Sequence, residues 1–293
     1  MMESRRRLLD RPIYLAIPIL IGLFFTRSPF FMSTLAPTEG KPWADTPMKL
    51  ITTPQYETKQ TDIFTTGATH MALLHNAILR GYNSIYQQAP HVKPTERADF
   101  IGYALTWHKF VKTHHDDEEA SLFTKVEEVL DDKTVFDETH KEHESFLGGL
   151  AEFEKYLSAP NIPSKFSGAE LVRIMSAFQE PFENHFHSEI KTIAALSSHP
   201  KAPKAGTPEE AAAALTFKTW GKSTVTKAGT LDVVPFFLLN LDGTVEEGMW
   251  ANWPPIPAPI KWGLTNIGGA YHNGFWKFSS CVSGKPKQLH ALP

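Results

Sequence analysis

Hydrophobic residues recur at three- and four-residue steps through four consecutive segments of the chain, a spacing that predicts amphipathic helices. The predicted helices cover about residues 66–88, 95–129, 134–157 and 167–193. Their connections are short, so consecutive helices are expected to lie antiparallel to one another. The pattern therefore predicts an all-α fold, an up-down-up-down four-helix bundle over residues 61–198.

The last third of the chain, residues 199–293, has a different pattern. Residues 202–214 are rich in Ala, Pro and Glu and are interpreted as a linker, with at most a short helix. From Leu231 onward, aromatic residues alternate with turn signals such as Asp242-Gly243. Exposure of so many large apolar side chains to water is unfavourable. This irregular, partly β extension is therefore expected to pack against the bundle.

The N-terminal segment, residues 1–35, is a separate unit. Three arginines at residues 5–7 precede an apolar run, residues 13–25, which is shorter than the roughly 20 residues of a membrane-spanning helix. A membrane anchor is the favoured interpretation, with a cleaved signal peptide or an unstructured tail as alternatives. The protein is accordingly expected at a membrane, and otherwise in the cytoplasm. Residues 36–60 contain four prolines and are interpreted as a linker.

Composition excludes several classes of function. The 293 residues are 42% hydrophobic, which is ample for a buried core. A net charge of -3 with a pI of about 6.5 gives no electrostatic footprint for nucleic acid. Cys281 is the only cysteine, which rules out an intrachain disulfide framework or a thiolate metal cluster.

Histidine is concentrated in the predicted bundle, where ten of the thirteen histidines lie between His70 and His187. On the second and fourth helices a histidine precedes a glutamate by four residues, which places both side chains on one helix face. The first and third helices each add a histidine in phase with apolar positions. The resulting candidate ligands are His75, His114, Glu118, His143, His185 and Glu189.

Three alternatives stay open at this level. His115 and Glu119 have the same spacing as His114 and Glu118, and helical phase does not separate the two pairs. His140, one turn before His143, and His70 are further candidates. The third alternative is a metal-free helical bundle on a membrane anchor, with the histidines as ordinary core residues and the acidic run as a solvated turn.

The donor set indicates which metal the site would hold. Four helices that supply four imidazoles and two carboxylates are sufficient for two ions joined by bridging carboxylates. Nitrogen and oxygen donors in this ratio favour non-haem iron, two ions per chain, with manganese and zinc as less favoured alternatives.

From about Thr61 to Leu196 the chain resembles the hemerythrin-like, or HHE cation-binding, family. The segments that carry the resemblance are HNAILRGYNSIY, HHDDEEASLF, HKEHESFLGGL and HFHSEI. The family has an aromatic residue nine positions after the second-helix histidine. Phe123 fits this spacing for His114, so the resemblance favours His114/Glu118 over His115/Glu119. The aromatic tail is similar to that of filamentous-fungal members.

One position departs from the family pattern. Oxygen-carrying hemerythrins have a second third-helix histidine four residues before the first, where this chain has Thr139. The resemblance therefore implies one coordination position open to solvent or substrate. It implies a protein that binds dioxygen, iron or a related small ligand, or alternatively a diiron oxidase or oxygenase acting on a small organic substrate.

Overall fold

The computed structural model describes residues 43–293, and the apolar run 13–25 lies outside them. Helices dominate this part of the chain, as predicted. The α-helices are α1 Pro54–Thr58, α2 Ile63–Gln88, α3 Arg97–Asp117, α4 Phe123–Leu130, α5 Asp137–Leu157, α6 Ile162–Lys165, α7 Gly168–Ala195, α8 Pro208–Ala228, α9 Val233–Leu238 and α10 Ala258–Gly263. Two short antiparallel strands, β1 Cys281–Val282 and β2 Lys285–Pro286, pair near the C-terminus.

The four long helices α2, α3 with α4, α5 and α7 form the predicted bundle, and the all-α fold class is confirmed. Local chemistry fixes where two of these helices begin. The Asp62 carboxylate accepts hydrogen bonds from the backbone N–H of Phe64 and Thr65, and Ser167 Oγ accepts one from Glu170 N–H. Such caps satisfy N–H groups that have no partner within the helix. Helix α7 continues through Pro181 as one element.

Aromatic residues fill the core on one side of the bundle centre. Tyr82 lies between Trp107 and Phe182, with ring centroids 5.8 and 6.1 Å away. The polar atoms of these rings are satisfied by backbone carbonyls: Tyr82 OH donates to Met175 O and Trp107 Nε1 donates to Ile78 O. These bonds connect neighbouring helices and hold them at a fixed separation next to the histidines.

The second predicted helix is not a continuous α-helix. Residues Glu118–Leu122 form a π-helical segment between α3 and α4, in which Phe123 N–H bonds to Glu118 O. A π-helical turn contains one additional residue, so it changes the direction in which the following side chains point. Phe123 is thereby buried and stacks on His143 and Phe136.

Residues 43–60, interpreted from their prolines as linker, are instead packed along α2. The Asn83 side chain accepts a hydrogen bond from Met48 N–H and donates to Ala44 O and Met48 O. Asn76 makes a similar pair of bonds with Ile51. Prolines favour an extended backbone, and here the polar groups of that backbone are satisfied by amide side chains from the helix.

The C-terminal extension is more helical than predicted. The Ala-rich stretch interpreted as linker begins the 21-residue helix α8, which Thr207 caps by accepting from Glu210 N–H. Alanine is the best helix former, and a proline at the first position is tolerated, so the start of this helix was readable from the sequence. The expected β content is limited, in the described residues, to the two-residue strands.

The extension is firmly attached to the bundle. Asn240 Oδ1 accepts hydrogen bonds from Tyr103 OH on α3 and from the backbone and side chain of Ser280. Helix α9 is buried along its whole length against the bundle. Among residues 43–293, no helix has the length and apolarity needed to cross a membrane.

Candidate metal centre

The bundle centre brings together all six predicted ligands and one additional histidine, His115. Six of these residues form two groups of three, in each of which the donor atoms lie within 4.8 Å of one another. All seven side chains are buried. The first group contains His75, His114 and Glu118, and the second contains His115, His143 and His185.

Two carboxyl groups approach histidines of both groups: Glu118, which belongs to the first group, and Glu189, which belongs to neither. Glu189 Oε2 is 3.4 Å from His75 Nε2 and 3.7 Å from His185 Nε2, so it is adjacent to one histidine of each group. Glu118 Oε1 lies 3.0 Å from His114 Nε2, and its Oε2 lies 3.8 Å from His143 Nε2. Each carboxyl group therefore faces both groups of imidazoles, as a bridging ligand would.

Several polar atoms of this centre have no hydrogen-bonding partner. Among the described residues, no N–H or O–H donor bonds to the oxygens of Glu118 or Glu189 with good geometry, apart from the contact between the two carboxyl groups themselves. The Nε2 atoms of His143 and His185 are also unpaired. Buried polar atoms are normally satisfied, so a cluster of unsatisfied atoms that converge on one point fits a cation site.

Burial sets the electrostatics of the centre. Desolvation raises the pKa of Glu118 and Glu189 well above the usual range and lowers the pKa of His114 to about 3 and of His143 to about 4. Burial thus disfavours the charged forms of both His114 and Glu118, whose side chains are in contact. Neutral imidazole is the form that binds a metal, and a bound cation would favour ionised carboxylates.

The structure separates the alternatives that the sequence left open. His114 and His115 both lie inside the centre. Of the two glutamates that follow them by four residues, Glu118 lies inside the centre and Glu119 does not. Glu119 lies at the rim, 41% exposed, with Oε1 2.6 Å from His143 Nδ1. His140 contacts Glu119 instead of the central donors.

His70 lies away from the centre and stacks on Trp253 of the C-terminal extension, with centroids 6.0 Å apart. It therefore belongs to the contact between bundle and extension.

The third helix of the bundle has Thr139 where oxygen carriers have a histidine, and the second helix supplies an additional histidine, His115. Thr139 is buried, but the fifth imidazole comes from α3, where the His115 ring lies 4.6 Å from the His143 ring and 5.2 Å from the His185 ring. His115 therefore adds a fifth imidazole to the six predicted donors. The only signal for it in the sequence was the repeated spacing of His115 and Glu119.

The C-terminal extension also reaches the centre, which the sequence did not indicate. Trp220 of α8 is buried with its ring 6.0 Å from that of His114, and its Nε1 donates to Asp117 O at the end of α3. Within the bundle, the ring of Phe186 contacts that of His75, and the ring of Phe146 contacts that of His185. These aromatic rings keep water away from the donor atoms.

Comparison with known proteins agrees with this geometry. Residues 66–196 match the model of the hemerythrin HHE cation-binding domain family. The four-helix bundle of this chain is thus similar to the hemerythrin HHE cation-binding domain.

A relative from Cryptosporiopsis sp. (strain 8999), the dimeric xanthone biosynthesis cluster protein R11, is 28% identical over 264 residues. The match covers 86% of this chain and 94% of the relative, so it extends well beyond the bundle into neighbouring segments. No solved structure matches the chain significantly.

Proposed function

We propose that this protein holds two iron ions at the centre of its bundle and uses them to bind dioxygen or a related small ligand. The observation that carries the proposal is the arrangement of six buried donors in two adjoining groups, with the buried Glu189 carboxyl group adjacent to a histidine of each group. Unpaired donors of this kind would be costly in a metal-free core. The match to the HHE cation-binding domain supports the coarser statement that the bundle binds a cation.

Each ion would have its own set of ligands. His75 and His114 would hold one ion, and His115, His143 and His185 would hold the other. Glu118 and Glu189 would bridge the two, because each carboxyl group faces histidines of both groups. Bound iron would coordinate the small ligand. The surrounding aromatic rings would exclude water and bulky molecules.

The donor chemistry supports iron over other metals. The second ion would have five donors, three imidazoles and two bridging carboxylates, one more than the four ligands of a closed structural zinc site. Manganese prefers sites richer in oxygen donors. The single thiol, Cys281, is buried in the C-terminal extension, where desolvation raises its pKa to about 11, and it does not belong to this donor set.

Metal analysis of the two carboxylate variants tests the proposal. The wild-type protein, loaded anaerobically with Fe(II), is expected to retain two ions per chain after desalting. E118Q and E189Q should each retain clearly fewer than two, because each loses a charged bridging ligand. E144Q, an exposed glutamate on α5, is the matched control and should behave as wild type. Two ions per chain in both bridging variants would refute the ligand assignment.

An oxidase or oxygenase acting on a small organic substrate is the second candidate. The observation that favours it is the relative whose name places it in a dimeric xanthone biosynthesis cluster. The iron-loaded protein would be incubated with dioxygen and a panel of hydroxylated xanthones. Oxygen consumption in proportion to a new product, absent in E118Q, would support the enzyme. Ligand binding without any product would favour the binding protein.

A further inference from the structure

Two histidines of the second group contact a carboxylate through Nδ1, the ring nitrogen on the side away from the central carboxyl groups. His143 Nδ1 lies 2.6 Å from Glu119 Oε1, and His185 Nδ1 lies 3.3 Å from Glu142 Oε2. In both rings the opposite nitrogen, Nε2, is unpaired and lies near the central carboxyl groups. A carboxylate only accepts hydrogen bonds, so Nδ1 carries the proton and Nε2 presents its lone pair to the centre.

The remaining three histidines lack such a partner. His75 Nδ1 lies 3.3 Å from the backbone carbonyl of Phe186, and His114 Nδ1 has no hydrogen-bonding partner among the described residues. Neither ring nitrogen of His115 has a hydrogen-bonding partner within residues 43–293. Support by a side-chain carboxylate is therefore confined to His143 and His185, on one side of the centre.

The two outer carboxylates are themselves held in place. Glu119 also contacts His140 Nδ1, at 2.7 Å from Oε2, and Glu142 Oε2 accepts a hydrogen bond of 2.6 Å from Ser188 Oγ. Both glutamates lie at the rim, where they are partly exposed. The contacts reduce the freedom of two flexible side chains, so that their orientation toward the histidines is fixed before a metal binds.

We propose that Glu119 and Glu142 are positioning residues that orient His143 and His185 and strengthen metal binding selectively at the subsite of His115, His143 and His185. The proposal rests on the dinuclear site proposed above. A carboxylate that accepts the Nδ1 proton increases the electron density on Nε2, and so makes the imidazole a better donor.

Charge balance supports the same assignment. Two divalent cations bring four positive charges into the bundle, and the bridging carboxylates Glu118 and Glu189 supply two negative charges. Glu119 and Glu142 supply two more, each one imidazole away from the centre. Four carboxylates therefore neutralise two divalent ions, which lowers the cost of burying the charge.

Chelator titration of Co(II)-loaded protein measures each subsite separately. E119Q and E142Q should each lower the binding affinity of one of the two ions by about 10- to 100-fold, the usual effect of removing an outer partner of a metal-bound histidine. The second ion should be unaffected. E144Q removes the same charge from an exposed position on α5 and should leave both ions as in wild type. If E119Q or E142Q folds poorly, H140A and S188A release the same carboxylates without removing them and should weaken the same ion to a smaller extent.

Proton NMR of the Co(II)-loaded protein supplies a readout that a merely structural role would not move. The exchangeable Nδ1–H protons of metal-bound histidines resonate outside the normal range. E119Q should shift one of these signals and E142Q a different one, while the rest of the spectrum stays in place. Equal weakening of both ions, or unchanged signals, would overturn the positioning role.

The same experiment distinguishes two failures. Wild-type protein that binds two ions, with E119Q and E142Q identical to E144Q, contradicts only the role of the outer carboxylates. Wild-type protein that binds no Co(II) contradicts the dinuclear site, and the positioning role with it.

Discussion

Replacement of Glu189 by methionine should have opposite effects on stability in the absence and in the presence of metal. Glu189 is fully buried, its oxygens lack a hydrogen-bond donor apart from the Glu118 carboxyl, and desolvation raises its pKa well above the usual range. A polar group left unsatisfied in a core costs about 1–3 kcal/mol of folding free energy. Methionine has a similar volume and no such cost, so E189M should stabilise the metal-free protein.

The expected change is large enough to measure by calorimetry. One kcal/mol corresponds to about 2–4 °C in Tm for a chain of this size, so the gain in excess chelator should be about 2–12 °C. With Fe(II) or Co(II) the sign should reverse, because each tenfold loss of affinity removes about 1.4 kcal/mol of metal-linked stabilisation.

E180M, an exposed position on the same helix, is the matched control and should change neither Tm appreciably. A lower Tm of E189M in chelator would mean that the carboxyl group is satisfied by the protein itself. In that case the unpaired donors would no longer be an argument for a metal.

Three further predictions follow from packing and charge. A chain that starts at residue 36 should unfold like the full protein. One that starts at residue 61 should lose at least about 3 kcal/mol in urea titrations, because it lacks the segment packed on α2, including the buried side chains of Met48 and Ile51 at about 1.5 kcal/mol or more each. In chelator, the free energy of unfolding should fall as the pH drops below 6.5, because desolvation lowers the pKa of the buried histidines in the folded protein and the unfolded chain therefore binds more protons. H115F should reduce the slope of the unfolding free energy against pH by about 1.4 kcal/mol per pH unit, and an unchanged slope would contradict the burial of His115. G148A should raise stability by about 1 kcal/mol, since its Cβ meets no other atom, whereas G149A should lower stability by about 1–3 kcal/mol because its Cβ would lie 2.4 Å from Phe178 Cβ; equal effects would refute the packing of α5 on α7.

Much of the fold follows from the sequence, because the relevant information is local. The period of the apolar residues identified the four long helices, and the residue pairs His114/Glu118 and His185/Glu189 share a helix face through spacing alone. The start of α8 was also encoded locally, by Thr207 and the alanines after it, although it was interpreted as linker. Local patterns of this kind depend only on neighbours within one or two turns.

The composition of the centre depended on the tertiary structure. Adjacent residues such as His114 and His115 point about 100° apart on a helix, so one helix alone does not present both to a single partner. Both reach the centre because His114 contacts His75 of α2, whereas His115 contacts His143 of α5 and His185 of α7. Glu119, in the π-helical turn that follows, lies at the rim. Periodicity says which face of a helix is apolar, but only the packing of four helices decides which polar side chains meet.

The same reason explains the outer contacts. Glu119 meets His143, Glu142 meets His185 and Trp220 meets His114 across different helices, with separations in the chain of 24, 43 and 106 residues. No spacing rule links residues so far apart. The sequence by itself determined the helices and the types of donor available, whereas the angles and distances at which the helices pack determined which donors share an ion and which residues support them.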